Sequence, residues 1–409
     1  MPMSSPTLHL KPGALTVGLD RQRVYSFDAE GRLFHALRHG LTYKRGLDHR
    51  FMVLWRDRVH DQLLRRRRFL SPQEARTLLE KIRDDLAREV WPQRHRWPVL
   101  STPLPGTPSL PPDRARREAE EILQRALAHD DHTLAQDARR FHEIYSPIGI
   151  LPPDQYLALV LQVTQGCHWN QCLFCDLYTR VPFRVRPLQE VAEHLEAVLR
   201  FFGRALPLRR SVFLADANAL MLPERRALDL LDFLGPRIQQ VLPWSRGFYS
   251  FLDVFTGERH PVSYWQQLAR RGVRRLYIGL ESAHEPLIQW LNKPETPEAA
   301  HDLLLRLKHA GLSIGVIVLV GAGGQRFREA HFQDTVAFLR AFPAWERQDI
   351  VYLSPFVPPA KPEYHQRVQE DGIVPLSETE IFAEIQRFQR ALLDLPPRVT
   401  LYNIQDFLY

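Results

Sequence analysis

From Tyr156 onward the sequence alternates short apolar runs with stretches of helical period, and this alternation limits the fold more than any other feature. The apolar runs fall at 157–163, 211–214, 248–252, 275–280, 313–320 and 350–353. Between them, residues 188–202, 223–234, 262–271, 284–291, 297–310 and 327–342 carry apolar positions at helical spacing. Two parallel strands cannot be joined by a tight turn, so repeated strand–helix units of this length mean a parallel sheet. Six such strands can form an open or partly closed barrel, which keeps its chemistry at the C-terminal ends of the strands. A last helix starts at Ser377-x-x-Glu380, a capping box, and runs to about 393.

The first 155 residues have a different texture. Residues 13–56 read as a short antiparallel meander, in which 23–27 and 33–37 are strands joined by the turn Asp28-Ala29-Glu30-Gly31 and 41–43 and 51–55 continue the pattern. Ser71, Pro72 and Glu74 open a helix over 72–88. Residues 91–112 hold seven prolines and no clear period, which predicts a linker or a surface strap. Two helices are expected next. Ala119, Ile122, Leu123, Ala126 and Leu127 share one face of the first, and Leu134, Ala138, Phe141 and Tyr145 one face of the second. The expected segments are therefore a meander plus helix at 1–90, a proline-rich linker at 91–113, a helical connector at 114–155, the barrel at 156–354 and a C-terminal extension at 355–409. The end of that extension, 401–409, is apolar enough to predict docking against the body of the protein.

Cysteine usage is the sharpest chemical signal. The chain has 3 cysteines, Cys167, Cys172 and Cys175, all on the loop after the first barrel strand. Disulfides would need pairs spread over the fold, so clustered thiols point to a metal centre in a reducing compartment. Three thiolates on one loop can hold three irons of a cubane and leave the fourth without a protein ligand. Zinc is the alternative, but it wants a fourth ligand, and the tempting one, His168, abuts Cys167. The net charge of +7 permits RNA, an acidic redox protein or an anionic substrate, and also fits a solvated arginine-rich surface. Arg65 to Arg68 form the densest run; gripping phosphates or RNA is one reading, and a solvated patch flanking a helix is the expected one. No apolar run is long enough to span a bilayer and Met1 to Lys11 does not read as a signal peptide, so a cytoplasmic protein is expected.

The loop Cys167-x4-Cys172-x2-Cys175, with Phe174 before the last cysteine and Asp176-Leu177-Tyr178 after it, resembles the cluster loop of the radical S-adenosylmethionine (radical SAM) superfamily. It departs from the usual C-x3-C-x2-C by one residue in the first gap. Other segments match over roughly 156–353. Phe213 to Leu220 resembles an F-L-x-D-x-D-A-L variant of the segment that meets the methionine ammonium. Gly279-Leu280-Glu281-Ser282, followed by Leu291-Asn292-Lys293-Pro294, is similar to the family's G-L-E-S segment. Gly315 to Gly324 looks like the strand that packs on adenine. The resemblance implies an α/β fold: a partial (β/α)6 TIM-like barrel with an N-terminal β-meander and helical accessory region and a C-terminal helical extension. It also implies a [4Fe–4S] cluster on Cys167, Cys172 and Cys175. S-adenosylmethionine would be held by Asp216, Asn218, Glu281, Ser282, Val318 and Gly321. A turn-shaping role for Asp216 and Asn218 is the competing reading.

What the family does is reductive cleavage of S-adenosylmethionine to methionine and a 5′-deoxyadenosyl radical, which takes a hydrogen atom from an unactivated C–H bond. An electron donor of flavodoxin or ferredoxin type is implied as partner. No cysteine remains for an auxiliary cluster and no D-x-H-x-x-G cobalamin motif is present. Rearrangement, bond formation, redox change or epimerisation of a small molecule is the first expectation, with modified RNA the second. A non-catalytic iron–sulfur sensor would hold the cluster yet release no 5′-deoxyadenosine. A zinc-stabilised RNA-binding module would be colourless.

Overall fold

A computed structural model describes residues 6–59 and 62–409. The chain divides into two compact units. One comprises Met1–Ile148, Glu193–Arg210 and Leu408–Tyr409, the other Gly149–Ala192 and Ser211–Phe407.

The first unit is built on an eight-stranded sheet: β1 (Thr7–Lys11), β2 (Ala14–Gly18), β3 (Arg23–Asp28), β4 (Leu33–Arg38), β5 (Leu41–Arg45), β6 (Phe51–Val59), β7 (Gln62–Phe69) and β8 (Val99–Ser101). Strands β1 to β7 form an antiparallel meander in chain order, and β8 adds beside β1 in parallel. Alternation sends Leu8, Leu10, Leu15, Val17, Tyr25, Phe27 and Ala36 to one face. There they meet Leu78, Leu79 and Ile82 of α1 (Pro72–Asp85) and Ala119, Ile122 and Leu123 of α2 (Pro112–Ala128), with Leu134 of α3 (Asp131–Ile144). The Ser71–Glu74 capping box forms as expected. Three strands lie outside the meander expected over 13–56: β1 precedes it, β7 follows it, and β8 falls inside the proline-rich stretch, where pairing with Leu8 to Leu10 supplies order that local sequence lacks. Arg65 to Arg68 precede α1 but are not part of a loose patch. They lie in β7, the edge strand, where the ladder with β6 imposes an extended backbone on a run with no apolar alternation.

The second unit holds a parallel sheet of seven strands, in sequence order from edge to edge. They are β9 (Ala158–Gln162), β12 (Ser211–Ala215), β13 (Phe248–Leu252), β14 (Val273–Glu281), β15 (Ser313–Val320), β16 (Ile350–Pro355) and β17 (Arg398–Leu401). Two-residue strands β10 (Thr164–Gln165) and β11 (Arg184–Val185) pair antiparallel and bracket the cysteine loop. The connecting helices are α4 (Leu188–Phe202), which the division into units crosses, α5 (Glu224–Val241), α6 (Val254–Gly257), α7 (Val262–Arg270), α8 (Glu285–Trp290), α9 (Pro297–His309), α10 (Gly324–Ala341), α11 (Pro362–Glu370) and α12 (Glu378–Ala391). Every crossover steps in the same direction, and a shared right-handed crossover puts the helices on one face and frees the other. The expected six strands become seven because 398–401, inside the expected helical extension, pairs with β16. Its Arg-Val-Thr-Leu sequence is too short to show a period of two. Tyr402 and Phe407 are buried, in keeping with a docked C-terminal stretch. Among the described residues no helix is long and apolar enough to cross a membrane.

Candidate active site

A cavity of about 330 Å³ opens on the face of the sheet away from the helices, and Cys167, Cys172 and Cys175 all line it. The loop that carries them is held by backbone and side-chain bonds within this unit. Gly166 starts it at φ +72, where a Cβ would meet the Val181 carbonyl oxygen at 2.5 Å. The Asn170 amide donates to Cys167 Sγ at 3.4 Å and its side chain to the Tyr178 carbonyl at 3.2 Å. Lys361 Nζ donates to the Cys172 carbonyl at 2.9 Å. The Leu173 amide donates to the Leu291 carbonyl at 2.9 Å, Trp169 Nε1 to the Asn292 carbonyl at 3.2 Å, and Asn292 Nδ2 to the Gln171 carbonyl at 2.9 Å. The loop is thus clamped to the turn after α8.

Burial pushes the Cys172 thiol up to about 12 and the Cys175 thiol up to about 11. Such thiols stay protonated at neutral pH until a cation takes their place, so metal binding here releases protons. Among the described residues, no three or more His, Cys, Asp and Glu side chains gather around a single point that could hold one ion. The three thiols share the wall of one cavity. His168 packs on Phe183 and Phe255, with Nε2 3.7 Å from Asp253 Oδ2. Among the described residues its ring nitrogens and the Tyr402 hydroxyl are buried without a hydrogen-bond partner, and both residues line the cavity. Orphaned polar atoms in a cavity wall fit a polar ligand there.

The other expected site residues separate into two groups. Glu281 and Asn218 line the cavity. Glu281 sits at the end of β14 with φ +57, beyond a register shift against β15. That bulge and left-handed residue aim its carboxylate into the cavity. Asn218 Nδ2 donates to Thr256 Oγ1 at 2.8 Å and also to Asp253 Oδ2. Asp216, Ser282, Val318 and Gly321 do not line the cavity. Asp216 accepts from Gln162 Nε2 at 3.0 Å and from the Gly166 amide at 3.2 Å, which ties β12 to the base of the cysteine loop. Burial raises it to about 6, against the pull of those two donors. Ser282 Oγ is hydrogen-bonded to His331 Nδ1 at 2.7 Å and accepts from the His284 amide at 2.9 Å. Strand alternation puts Ile317 and Leu319 in the cavity wall and Val318 on the helix side. Gly321, at φ +98, makes room for Ile381 of α12.

The residue that sequence reasoning passed over is Lys293. It is buried, lines the cavity, and reaches Glu281 Oε1 at 3.3 Å, Glu295 Oε1 at 2.9 Å and the Gly279 carbonyl. Burial alone would lower its pKa, but the Glu295 and Glu281 carboxylates outweigh that and hold it protonated. A Cβ at Gly279 would collide with Glu281 Oε1 and meet Lys293 Nζ at 3.2 Å, so the glycine makes space for this pair. The available signal was Lys293 in the segment after Glu281-Ser282, quoted for its likeness but given no role. Tyr277, another lining residue, donates to Asp154 Oδ2 at 2.7 Å. Tyr352 donates to Asp154 Oδ1 at 2.6 Å, and Arg275 pairs with the same carboxylate at 2.7 Å.

The sequence profile of the Radical SAM superfamily matches residues 161–339. No curated protein matches the chain. Solved structures similar to it include TsrM, a radical S-adenosylmethionine methyltransferase from Kitasatospora setae, at 17% identity over 49% of this chain and 36% of that one, TM-score 0.37. The alignment spans little more than a third of that methyltransferase. Coproporphyrinogen III oxidase (HemN) from Escherichia coli aligns at 14% identity over 62% of this chain and 55% of that one, TM-score 0.41. SuiB from Streptococcus suis aligns at 13% identity over 89% and 72%, TM-score 0.41. The stretch 161–339, with the cysteine loop at its start and the Glu281 segment within it, is a radical SAM superfamily domain.

Proposed function

We propose that Cys167, Cys172 and Cys175 hold a [4Fe–4S] cluster and that Glu281 and Asn218 contact S-adenosylmethionine beside it. When bound, this pair supplies reductive cleavage of S-adenosylmethionine to methionine and a 5′-deoxyadenosyl radical. The observation that carries the reading is the single cavity onto which all three thiols and the Glu281 carboxylate open. Glu281 can accept two hydrogen bonds from a cis-diol, and Lys293 fixes its orientation. Asp216 and Ser282 act from behind the wall, one holding the cysteine loop and the other the start of α8. Val318 and Gly321 act through the packing of β15, which presents Ile317 and Leu319 to a flat ring. The apolar wall of Phe251, Tyr277, Leu319 and Phe356 excludes water. A low-potential flavodoxin- or ferredoxin-type protein would supply the electron, and a small molecule is the proposed substrate.

The test is anaerobic reconstitution with iron and sulfide, reduction with dithionite, and assay for 5′-deoxyadenosine, with Cys172→Ala as control. Product that vanishes in the control supports the proposal. A cluster that never yields product favours a sensor, and failure to retain iron defeats the reading.

A further inference from the structure

The segment after β16 runs past the cysteine loop as a strap. Between Pro355, where β16 ends, and Pro362, where α11 begins, the sequence reads Phe356-Val357-Pro358-Pro359-Ala360-Lys361. Prolines at 358, 359 and 362 fix their own φ and restrict the residues before them, so the strap has little freedom. It is tied along its length. The Phe356 amide donates to the Val320 carbonyl at 2.8 Å, the Ala360 amide to Asp176 Oδ2 at 2.8 Å, and Lys361 Nζ to the Cys172 carbonyl at 2.9 Å. The His365 ring meets the Pro359 carbonyl at 3.0 Å. Leu173 and Phe174, between the second and third cysteines, pack against the apolar cluster that contains Phe356 and Tyr364.

Phe356, Val357, Pro358 and Pro359 line the cavity, and Lys361 does not. Its ammonium meets the backbone of the cysteine loop rather than a molecule held in the cavity. Lys361 also stands at the N-cap position of α11, where the helix dipole opposes a cation and its side chain makes no capping bond. Among the described residues no carboxylate stands within ion-pair distance of it. Lys293, the other ammonium near the thiols, is compensated by Glu281 at 3.3 Å and Glu295 at 2.9 Å. Burial raises both thiols, and against it the field of Lys293 favours the Cys172 thiolate and that of Lys361 the Cys175 thiolate.

We propose that Lys361 raises the reduction potential of a cluster held on Cys167, Cys172 and Cys175, by keeping an uncompensated positive charge fixed beside the cysteine loop. This rests on the cluster reading above. Three thiolates make such a cluster anionic. Its reduction oxidises a flavodoxin- or ferredoxin-type donor by one electron, makes and breaks no bond, and adds one negative charge to the site. A fixed cation stabilises the reduced state more than the oxidised one. The apolar wall works in the other direction, because burial disfavours added charge. Lys361 offsets that penalty from outside the cavity, without occupying space that a ligand needs.

The full-length protein, reconstituted anaerobically with iron and sulfide, is titrated with dithionite through redox mediators in the absence of S-adenosylmethionine. The reduced cluster is quantified by electron paramagnetic resonance. The wild-type midpoint is compared with those of Lys361→Gln, Lys361→Met and Lys361→Arg, with iron content and melting temperature measured beside it. The two neutral variants are expected to hold iron as the wild type does. At the wild-type midpoint potential they are expected to shift the ratio of reduced to oxidised cluster about tenfold towards oxidised, about 59 mV for a one-electron couple. Lys361→Arg keeps the charge and is expected to stay within about twofold. Midpoints unchanged in the neutral variants, or an Arg variant shifted as far as they are, overturns the proposal. Iron lost from both neutral variants makes Lys361 a clamp on the loop and also overturns it. A wild-type protein that takes up no cluster defeats the cluster reading and this inference with it, and that result is read before any variant is made.

Discussion

The two units bury charge in opposite ways. In the first, Arg32 is buried against Asp28 at 2.7 Å and Asp137 at 3.3 Å, and its remaining donors reach the Phe201 carbonyl. The network has an acceptor for each of these donors and acts as a fastener. In the second, the side chains of Lys293, Glu281 and Glu295 are also largely buried, but Lys293 and Glu281 form part of a cavity wall that also holds three thiols and two orphaned polar groups. Buried polar groups that satisfy one another make a joint, and those that satisfy one another only in part make a site.

The comparison breaks most visibly at the thiols. Cys172→Ala is expected to reduce retained iron and 5′-deoxyadenosine formation to background while the melting temperature of the unreconstituted protein stays within a few degrees. Equal loss of fold and iron would mean that the thiols are structural.

Two substitutions then separate joint from site. Lys293→Ala and Arg32→Ala each strand buried carboxylates and are expected to cost about 3–5 kcal/mol in denaturant unfolding. Only Lys293→Ala is expected to abolish S-adenosylmethionine cleavage in the fraction that remains folded. Comparable cleavage in both variants would erase the distinction.

Proton linkage gives a smaller effect on the helix side of the second unit. Burial lowers His331 to about 4 from the ordinary 6.5. The folded protein then binds fewer protons than the unfolded chain, so stability is complete above pH 6.5 and falls as pH drops towards 4, by about 3 kcal/mol at most. His331→Gln is expected to flatten this stretch of the stability–pH curve, and an unchanged slope would remove His331 as its cause.

The tyrosines of the cavity provide the finest test. Tyr277→Phe loses a bond to the Asp154 carboxylate and is expected to cost about 1.5–3 kcal/mol. Tyr402→Phe removes a hydroxyl with no partner and is expected to be neutral or stabilising by up to about 1 kcal/mol. Destabilisation by Tyr402→Phe to match Tyr277→Phe would show that its hydroxyl is already satisfied.

Legibility followed the range of the interactions. The helices at 188–202 and 297–310, the strands at 248–252 and 313–320, and the cysteine loop stood out because each is coded within one window by period, cap or spacing. β17 and β8 did not, since four and three residues show no period and order comes from a strand far away in the chain. Within the site, Glu281 lay in a recognisable segment, while the choice between Val318 and its neighbours turns on the pleat. A shift of one residue reverses the face, and no local signal reports it.

By itself, the sequence determined the parallel sheet, the clustering of three thiols on one loop and the helices that close each crossover, because apolar period and thiol spacing are properties of adjacent residues. Only the tertiary structure decided that Lys293 enters the cavity, that Asp216 pins the loop from behind, that Tyr402 faces inward without a partner, and that an arginine run becomes a strand. Each of these depends on which distant segments meet, and on the free energy of burying a charge or a hydroxyl where a partner is, or is not, within reach.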